Sequence, residues 1–318
     1  MHYAQREPRC QRIFDFDDDN ELDPEQLAAS SSWATKQLRP IDSEEARAVN
    51  VYPYFKPTNG QGLTWPRGFP QHLIRDASTH ELEELAVPLV NDSHLAVIQS
   101  LANVDPDVDA VYRQTHEAPS FSFQRERVKL GLGAGYVAPW NAQATLVMPP
   151  AFFGLLLPAS VSGRVSDIWR SYITTRLLWA TKWRVGICSP MVTQYRNPHL
   201  FSQDFEDELK LYLHGDSFVE SLLGWNFEFA PSTSRRETRA PSLRSAYLSV
   251  MQMLARKNFL SLSDVDLAGA WVTDLEHVGW KWPEVTANLS SWKIAAEDVV
   301  DRRRIEWRAP DRRLLSMS

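Results

Sequence analysis

Between Arg164 and Trp183 the apolar residues recur at intervals of three and four: Ile168 and Trp169, Tyr172 and Ile173, Leu177, Ala180. That spacing lines them along one stripe of an α-helix. Arg184 to Cys188 follows at once as a strand entering a core. Just upstream, Ala142 to Val161 is the most apolar run in the chain and is long enough to cross a bilayer. Pro149, Pro150 and Pro158 break it and its flanks are polar, so it is expected to be buried core, with Phe152 to Leu157 at its centre.

A second local signal lies near the start. Ile13-Phe14-Asp15-Phe16 is a compact strand candidate, ended abruptly by Asp17-Asp18-Asp19-Asn20. Carboxylates at i and i+2 on such a turn can share one Mn²⁺ or Mg²⁺, because hard cations take oxygen ligands. Open positions on the cation then accept a diphosphate, and the metal offsets charge on a leaving nucleoside diphosphate. The competing interpretation is a solvated acidic turn capping a helix that starts near Pro24.

Three further segments carry chemistry-bearing residues. At the head of the long helix, Asp167 is a candidate base for an acceptor hydroxyl, and Arg164 and Arg170 can face diphosphate oxygens. Equally, an acid in a first helical turn complements the helix dipole. Trp140 with Asn141 and Gln143 suits sugar recognition through stacking and amide hydrogen bonds, or else packs as a loop beneath Phe152 and Phe153. Arg67, in the turn Arg67-Gly68-Phe69-Pro70, carries a cation that can touch phosphate or simply serve the turn. The histidines show no mutual metal spacing, and His116 is only a remote third-ligand candidate. Glycines 131, 133 and 135 are not followed by a helix, which argues against a phosphate loop.

Composition narrows the classes. A charge of −6 disfavours a nucleic-acid partner, and the basic stretch from Arg302 to Arg313 is interrupted by acids. The apolar share of 43% and charged share of 23% are those of a globular protein. Twelve tryptophans fit an aromatic core or flat surfaces for sugar rings. Cys10 and Cys188 allow one bridge and no disulfide framework. The triplets beginning at Asn91 and Asn288 permit a lumenal location, while Met1 to Arg12 lacks a signal's apolar core.

Elsewhere the pattern predicts short helices at Asp42 to Arg47 and Glu81 to Leu89. A long loop is expected from Pro53 to Pro70, and a strand or helix at His94 to Leu101. A boundary is placed near Pro198, giving regions 1–198 and 199–318, the second mainly helical. In it, Phe205, Leu209, Tyr212 and Leu213 form a helical stripe ending at Gly215, and Phe218 to Leu223 forms another. Helices at Leu243 to Arg256 and Asp264 to Val278 follow a polar linker, Pro231 to Pro241.

Taken in order, Phe14 to Asn20, Trp65 to Pro70, Pro106 to Val111, Pro139 to Thr145, and Asp167 to Arg170 with Arg176 to Trp179 resemble the STELLO family of glycosyltransferases. More distantly, the acidic triplet, Arg-Gly-aromatic-Pro and Asp-Ile-Trp are similar to the reversibly glycosylated polypeptides, the UDP-arabinopyranose mutases. The resemblance implies an α/β GT-A fold, a UDP-sugar donor, Mn²⁺, a glycan or glycoprotein acceptor, a Golgi setting and association with other glycan synthases. It assigns Asp17, Asp18 and Asp19 to donor and metal, and Asp167 to the base. In a GT-A protein the acidic motif follows about a hundred residues of nucleotide-binding sheet, so the expectation is a fold lacking much of that N-terminal half. Two functions are in view: transfer from a UDP-sugar, or non-catalytic assistance to the assembly or trafficking of glycan synthases. A metal-dependent phosphohydrolase is a third, weakened by the lack of a second ligand set.

Overall fold

The computed structural model describes residues 11–41, 45–58, 63–89, 94–117, 119–198, 200–227, 242–289 and the backbone of 293–294. The Asn91 triplet, the Pro231 to Pro241 linker, Cys10 and the C-terminal arginines lie outside these residues.

The fold is α/β, built on a mixed sheet. Its strands are β1 (Ile13–Phe16), β2 (Asn20–Leu22), β3 (Ala34–Leu38), β5 (Ala86–Pro88), β6 (Leu95–Asn103), β7 (Val128–Gly131), β9 (Ala144–Val147) and β10 (Arg184–Gln194). They run β1-β9-β6-β10-β7-β3-β5, and β2 pairs with the far end of β10. A smaller parallel sheet joins β4 (Glu45–Ala48) to β8 (Tyr136–Val137) and β11 (Lys293–Ile294).

Strand β10 is the spine. It pairs in parallel with β6 and antiparallel with β7 at Gly186–Cys188. An irregularity between Cys188 and Val192 then carries its end to β2, where Gln194 lies opposite Asn20. Such bulges re-aim a strand and the side chains beyond it. Because β9 is antiparallel to both β1 and β6, the carboxyl ends of β1, β6 and β10 and the amino end of β9 gather at one margin of the sheet.

Helix α3 (Gly163–Leu178) crosses this sheet, after α1 (Pro24–Ala29) and α2 (Ala110–Thr115) in the chain. It is buried on all sides from Val165 to Leu178, with α5 (Leu209–Leu223), preceded by α4 (Phe201–Asp207), and α6 (Leu243–Arg256) against it. Stacking of Trp169 on Phe218 at 4.5 Å marks the contact with α5. Helix α7 (Leu262–His277) completes the layer by packing on α6. One apolar core runs from Leu38 to Leu289, across residue 198. Phe152 and Phe153 sit in it, as the apolar run predicts. Cys188 is a buried free thiol that desolvation pushes up to about 12.

Several local expectations fail. Residues 45–48 are strand, not helix, and 42–44 lie outside the described residues. The stretch expected as a helix from Glu81 instead turns and forms β5. Gly215 does not end a helix: α5 passes through it and buries Leu211, Phe218, Val219 and Leu222. Phe205, Leu209 and Leu213 face outward. The acidic triplet does not cap α1, whose cap is Asp23, accepting from the amides of Glu25 and Gln26. Asp167 lies one turn into α3, beyond its first residues.

Candidate active site

The gathered strand ends supply the side chains of the sequence motifs. Asp17 and Asp19 follow β1, Asp107 follows β6, Asn141 and Gln143 precede β9, and Gln194 ends β10. Ligands in open α/β sheets collect outside the carboxyl ends of strands, where no following strand covers them.

Arg67 is the centre of charge compensation. Its Nε donates to Asp107 at 2.9 Å, and Nη1 and Nη2 each reach an oxygen of Asp167 at 3.0 Å. Nη1 also donates to the carbonyl of Arg164. A planar guanidinium suits this fork, since it offers paired donors at fixed geometry. Desolvation alone would raise the Asp107 carboxyl. The charge and hydrogen bond of Arg67, with the charge of Arg164 and the amide of Asn141, instead hold it well below the usual carboxylate range. Asp167 further accepts from the amide of Ala142 at 3.3 Å and from its neighbour Ile168 at 2.9 Å.

A train of carboxamides links the two acidic groups. Asn141 donates Nδ2 to Asp107 at 2.7 Å and to Gln143 Oε1 at 3.2 Å. Gln143 donates to Gln194 Oε1, and Gln194 donates to Asp19 Oδ1 at 3.0 Å. Gln99 locks the far side of Asn141, exchanging hydrogen bonds of 2.5 and 2.9 Å with it. Asn141 and Gln143 are 4% and 6% exposed, so in this fold their amides orient carboxylates from beneath.

Asp17 stands apart. Its backbone amide is fixed to the Gln143 carbonyl at 3.0 Å, but among the described residues no donor reaches its exposed carboxylate. Partial desolvation first, then the negative charges of Asp107, Asp19 and Asp167, push it up to about 6, with Arg67 opposing. For a side chain open to solvent, the three like charges are the informative part of that shift. Asp18 is exposed at the turn tip.

The other predicted residues lie outside this cluster. Arg164 sends its guanidinium to Glu208, with Nε at 2.7 Å, and approaches Asp204 at 3.7 Å. Arg170 pairs with Asp15 at 3.3 Å and lies 5.0 Å from the Trp140 ring centre. His116 stacks on Tyr112 at 3.8 Å, away from the acids. Sequence reasoning gave no role to Asp107, Gln99 or Gln194. The first lay in a motif segment, Pro106 to Val111, whose acid could have been paired with Arg67 only by knowing the fold.

Asp17 fits a divalent cation: it is a carboxylate without a described hydrogen-bond partner, beside other carboxylates. Among the described residues, however, no group of three or more His, Cys, Asp or Glu side chains is arranged to hold a metal alone. A cation held here would have to draw most of its shell from phosphate and water, as Mg²⁺ does at nucleotide sites. No helix among the described residues is long and apolar enough to cross a membrane.

Comparison with known proteins gives the same direction. A family model described as STELLO glycosyltransferases matches residues 164–309, from the head of α3 onward. The Arabidopsis thaliana protein named "Probable glycosyltransferase STELLO2" is 30% identical over 241 residues, covering 74% of this chain and 29% of that protein. "Probable glycosyltransferase STELLO1", also from Arabidopsis thaliana, is 27% identical over 289 residues, covering 87% of this chain and 35% of that protein. This chain thus spans about a third of the length of the curated relatives it matches. Both matches are longer than the family-model match, so the similarity extends beyond the residues that the family model covers. On these matches the chain is similar to the STELLO glycosyltransferases, and a STELLO-like family is the one they support.

Proposed function

We propose that the carboxylate cluster is the donor site of a metal-dependent, GT-A-type glycosyltransferase using a UDP-sugar, with a glycan or glycoprotein as acceptor and a Golgi setting. The observation that carries this reading is the charge imbalance at Asp17. One guanidinium, Arg67, faces Asp107 and Asp167, and Asp17 and Asp19 add two further carboxylates nearby. A divalent cation balances that excess, with Asp17 and Asp19 as its protein ligands. When bound, Mn²⁺ or Mg²⁺ supplies electrostatic stabilisation of a departing diphosphate. The chain's own residues do the positioning: Gln194 holds Asp19, and Asn141 with Arg67 holds Asp107.

One observation favours a second reading, a glycosyltransferase-like protein that assists glycan synthases without transfer. Asp167, the candidate base, has both oxygens on Arg67 and is 7% exposed. A base needs access to the hydroxyl it deprotonates. In the transferase reading, Arg67 must release Asp167 when donor binds, or another group serves as base.

Thermal unfolding with UDP and Mn²⁺, separately and together, tests the donor site. At about a hundred times its dissociation constant a ligand adds roughly 2.7 kcal/mol, several degrees in Tm. The proposal expects a shift requiring both, absent in Asp17→Asn. A cooperative transition unmoved by the pair would sink the donor-site reading and leave the assisting role.

A further inference from the structure

A sizeable cavity lies away from the carboxylates. It is an open groove of about 770 Å³ between the turn Pro53–Phe55 and the segment Ser78 to Leu85, with Arg47 and Arg125 at its sides. A second hollow of about 390 Å³ shares Pro53, His80 and Glu81 with it and is otherwise walled largely by Pro57, Leu63 and Ala77. The two adjoin across those shared residues, the larger lined largely by charged side chains and the smaller mostly by apolar ones. The larger has the size of a small-molecule or oligosaccharide site.

The walls are held rigidly. The amides of Gln124 and Arg125 donate to the carbonyls of Lys56 and Phe55 at 3.0 and 3.1 Å, and Pro57 bridges Phe123. Lys56 has φ 57°, in the left-handed region that a side chain adopts at a cost of about 1 kcal/mol or more. His80 is clamped between Asn50 at 3.2 Å and the Ile74 carbonyl at 2.9 Å. The same stretch of chain reaches the carboxylate site: the Tyr52 hydroxyl donates to the Asp107 carbonyl at 3.1 Å.

The charge pattern selects the ligand. Arg47, Lys56 and Arg125 face Glu81, Glu83 and Glu84 around one opening. Glu83 is bound to Arg125 at 2.7 Å and to Lys36 at 3.3 Å. Among the described residues, Arg47, Lys56, Glu81 and Glu84 have no ionic partner. Burial lowers the His80 imidazole from its ordinary value, so it adds no charge near neutral pH. A phosphate or polyanion entering this groove meets Glu81 and Glu84, and a polycation meets Arg47 and Lys56. A sugar hydroxyl can donate to a carboxylate and accept from a guanidinium or ammonium, so an uncharged polyol satisfies both sets. Hydrophobic sugar faces then suit the end lined by Pro57 and Leu63.

We propose that this groove is a binding site for a neutral oligosaccharide, gripped by Arg47, Lys56, Glu81 and Glu84. Such binding does not depend on transfer at the carboxylate cluster and serves either reading of the function.

The test titrates the full chain with linear tetrasaccharides: neutral ones of glucose, mannose and xylose, anionic tetragalacturonate and cationic tetraglucosamine. Binding is read by chemical-shift perturbation and calorimetry. The expected result is a dissociation constant on the order of 1 mM for at least one neutral probe, with both charged probes about tenfold weaker or more. Arg47→Ala and Glu84→Ala, at partly open positions, should each weaken the neutral probe about 3- to 10-fold without moving Tm, the worth of one or two hydrogen bonds. Asp17→Asn should leave that affinity unchanged, even where it abolishes the response to UDP and Mn²⁺. The proposal is overturned if no neutral probe binds at about ten times that concentration, or if a charged probe binds more tightly. It is equally overturned if the groove variants bind as the parent does, or if Asp17→Asn removes oligosaccharide binding.

Discussion

The floor of the carboxylate site and its rim use the same residue type to opposite ends. On the floor, Asp107 and Asp167 meet Arg67 and the amide of Asn141 at hydrogen-bond distance, and Asn141 and Gln143 are nearly fully buried. On the rim, Asp17 is open to solvent, meets no described donor and feels three neighbouring carboxylates. A satisfied buried acid contributes to architecture and makes a poor ligand. An unsatisfied acid at the mouth costs stability in the free protein and attracts a cation. The contrast separates what holds the site from what uses it, and mutations should fall into two corresponding classes.

Arg67→Met should have the largest effect. It leaves Asp107 and Asp167 facing one another without a counter-charge, and breaking one side of a buried ion pair costs about 3–5 kcal/mol. Chemical unfolding at pH 7 and pH 2 measures this. Because Asp107 is held below its unfolded value, its ion pair contributes above about pH 4 and is lost as pH falls further. The deficit of the variant should therefore be greatest at neutral pH and shrink toward acid. A neutral outcome at pH 7 would show that the floor is not held by charge.

Gln143→Leu should come next, at about 1–3 kcal/mol, since it leaves Gln194 Oε1 and an Asn141 donor unpaired in a buried place. Its second consequence separates floor from rim. With Gln194 released, Asp19 loses its fixed geometry, so any stabilisation by UDP with Mn²⁺ should fall by more than the fold does. Differential scanning calorimetry with and without ligand gives both quantities, and an undiminished ligand shift would show that the amide train does not position the rim.

How much of this was legible in the sequence follows from where each signal resides. Helix α3, strand β10 and the acidic turn after β1 are written in local periodicity, and all three are found. Glu45–Ala48 and the segment from Glu81 are rich in Glu, Ala and Leu, good helix formers, yet pair as strands. Propensity of a few tenths of a kcal/mol per residue loses to sheet pairing in so short a segment. At the site, the strand-ending Asp17 and Asp19 were visible because both carboxylates come from one turn. Asp107 was not, because its partners Arg67 and Asn141 stand 40 and 34 positions away. Arg67, Asn141 and Gln143 stand out in the sequence as polar groups suited to a donor, and only the fold shows their side chains turned toward the acids and toward one another.

The smallest expected effect is the most specific to the rim. Asp17→Asn removes one of the mutually repelling charges and breaks no described side-chain hydrogen bond, so the free protein should gain stability. The sign follows from the direction of the shift. A carboxyl raised to about 6 favours folding below its unfolded value near 4, and that advantage is lost as pH climbs through 6. At pH 7 to 8 the wild type carries the full repulsion and the variant does not. Solvent screens an open group, so the gain should be modest, about 1–3 °C in Tm, and should vanish below about pH 4. Cation affinity of the wild type should follow the same ionisation, weakening about 5- to 10-fold between pH 7 and pH 5, while the variant stays weak throughout. A variant that is less stable than wild type at pH 8 would mean that Asp17 is satisfied in the free protein. It would then belong with the floor, and the division between the two parts of the site would fail at the residue on which it rests.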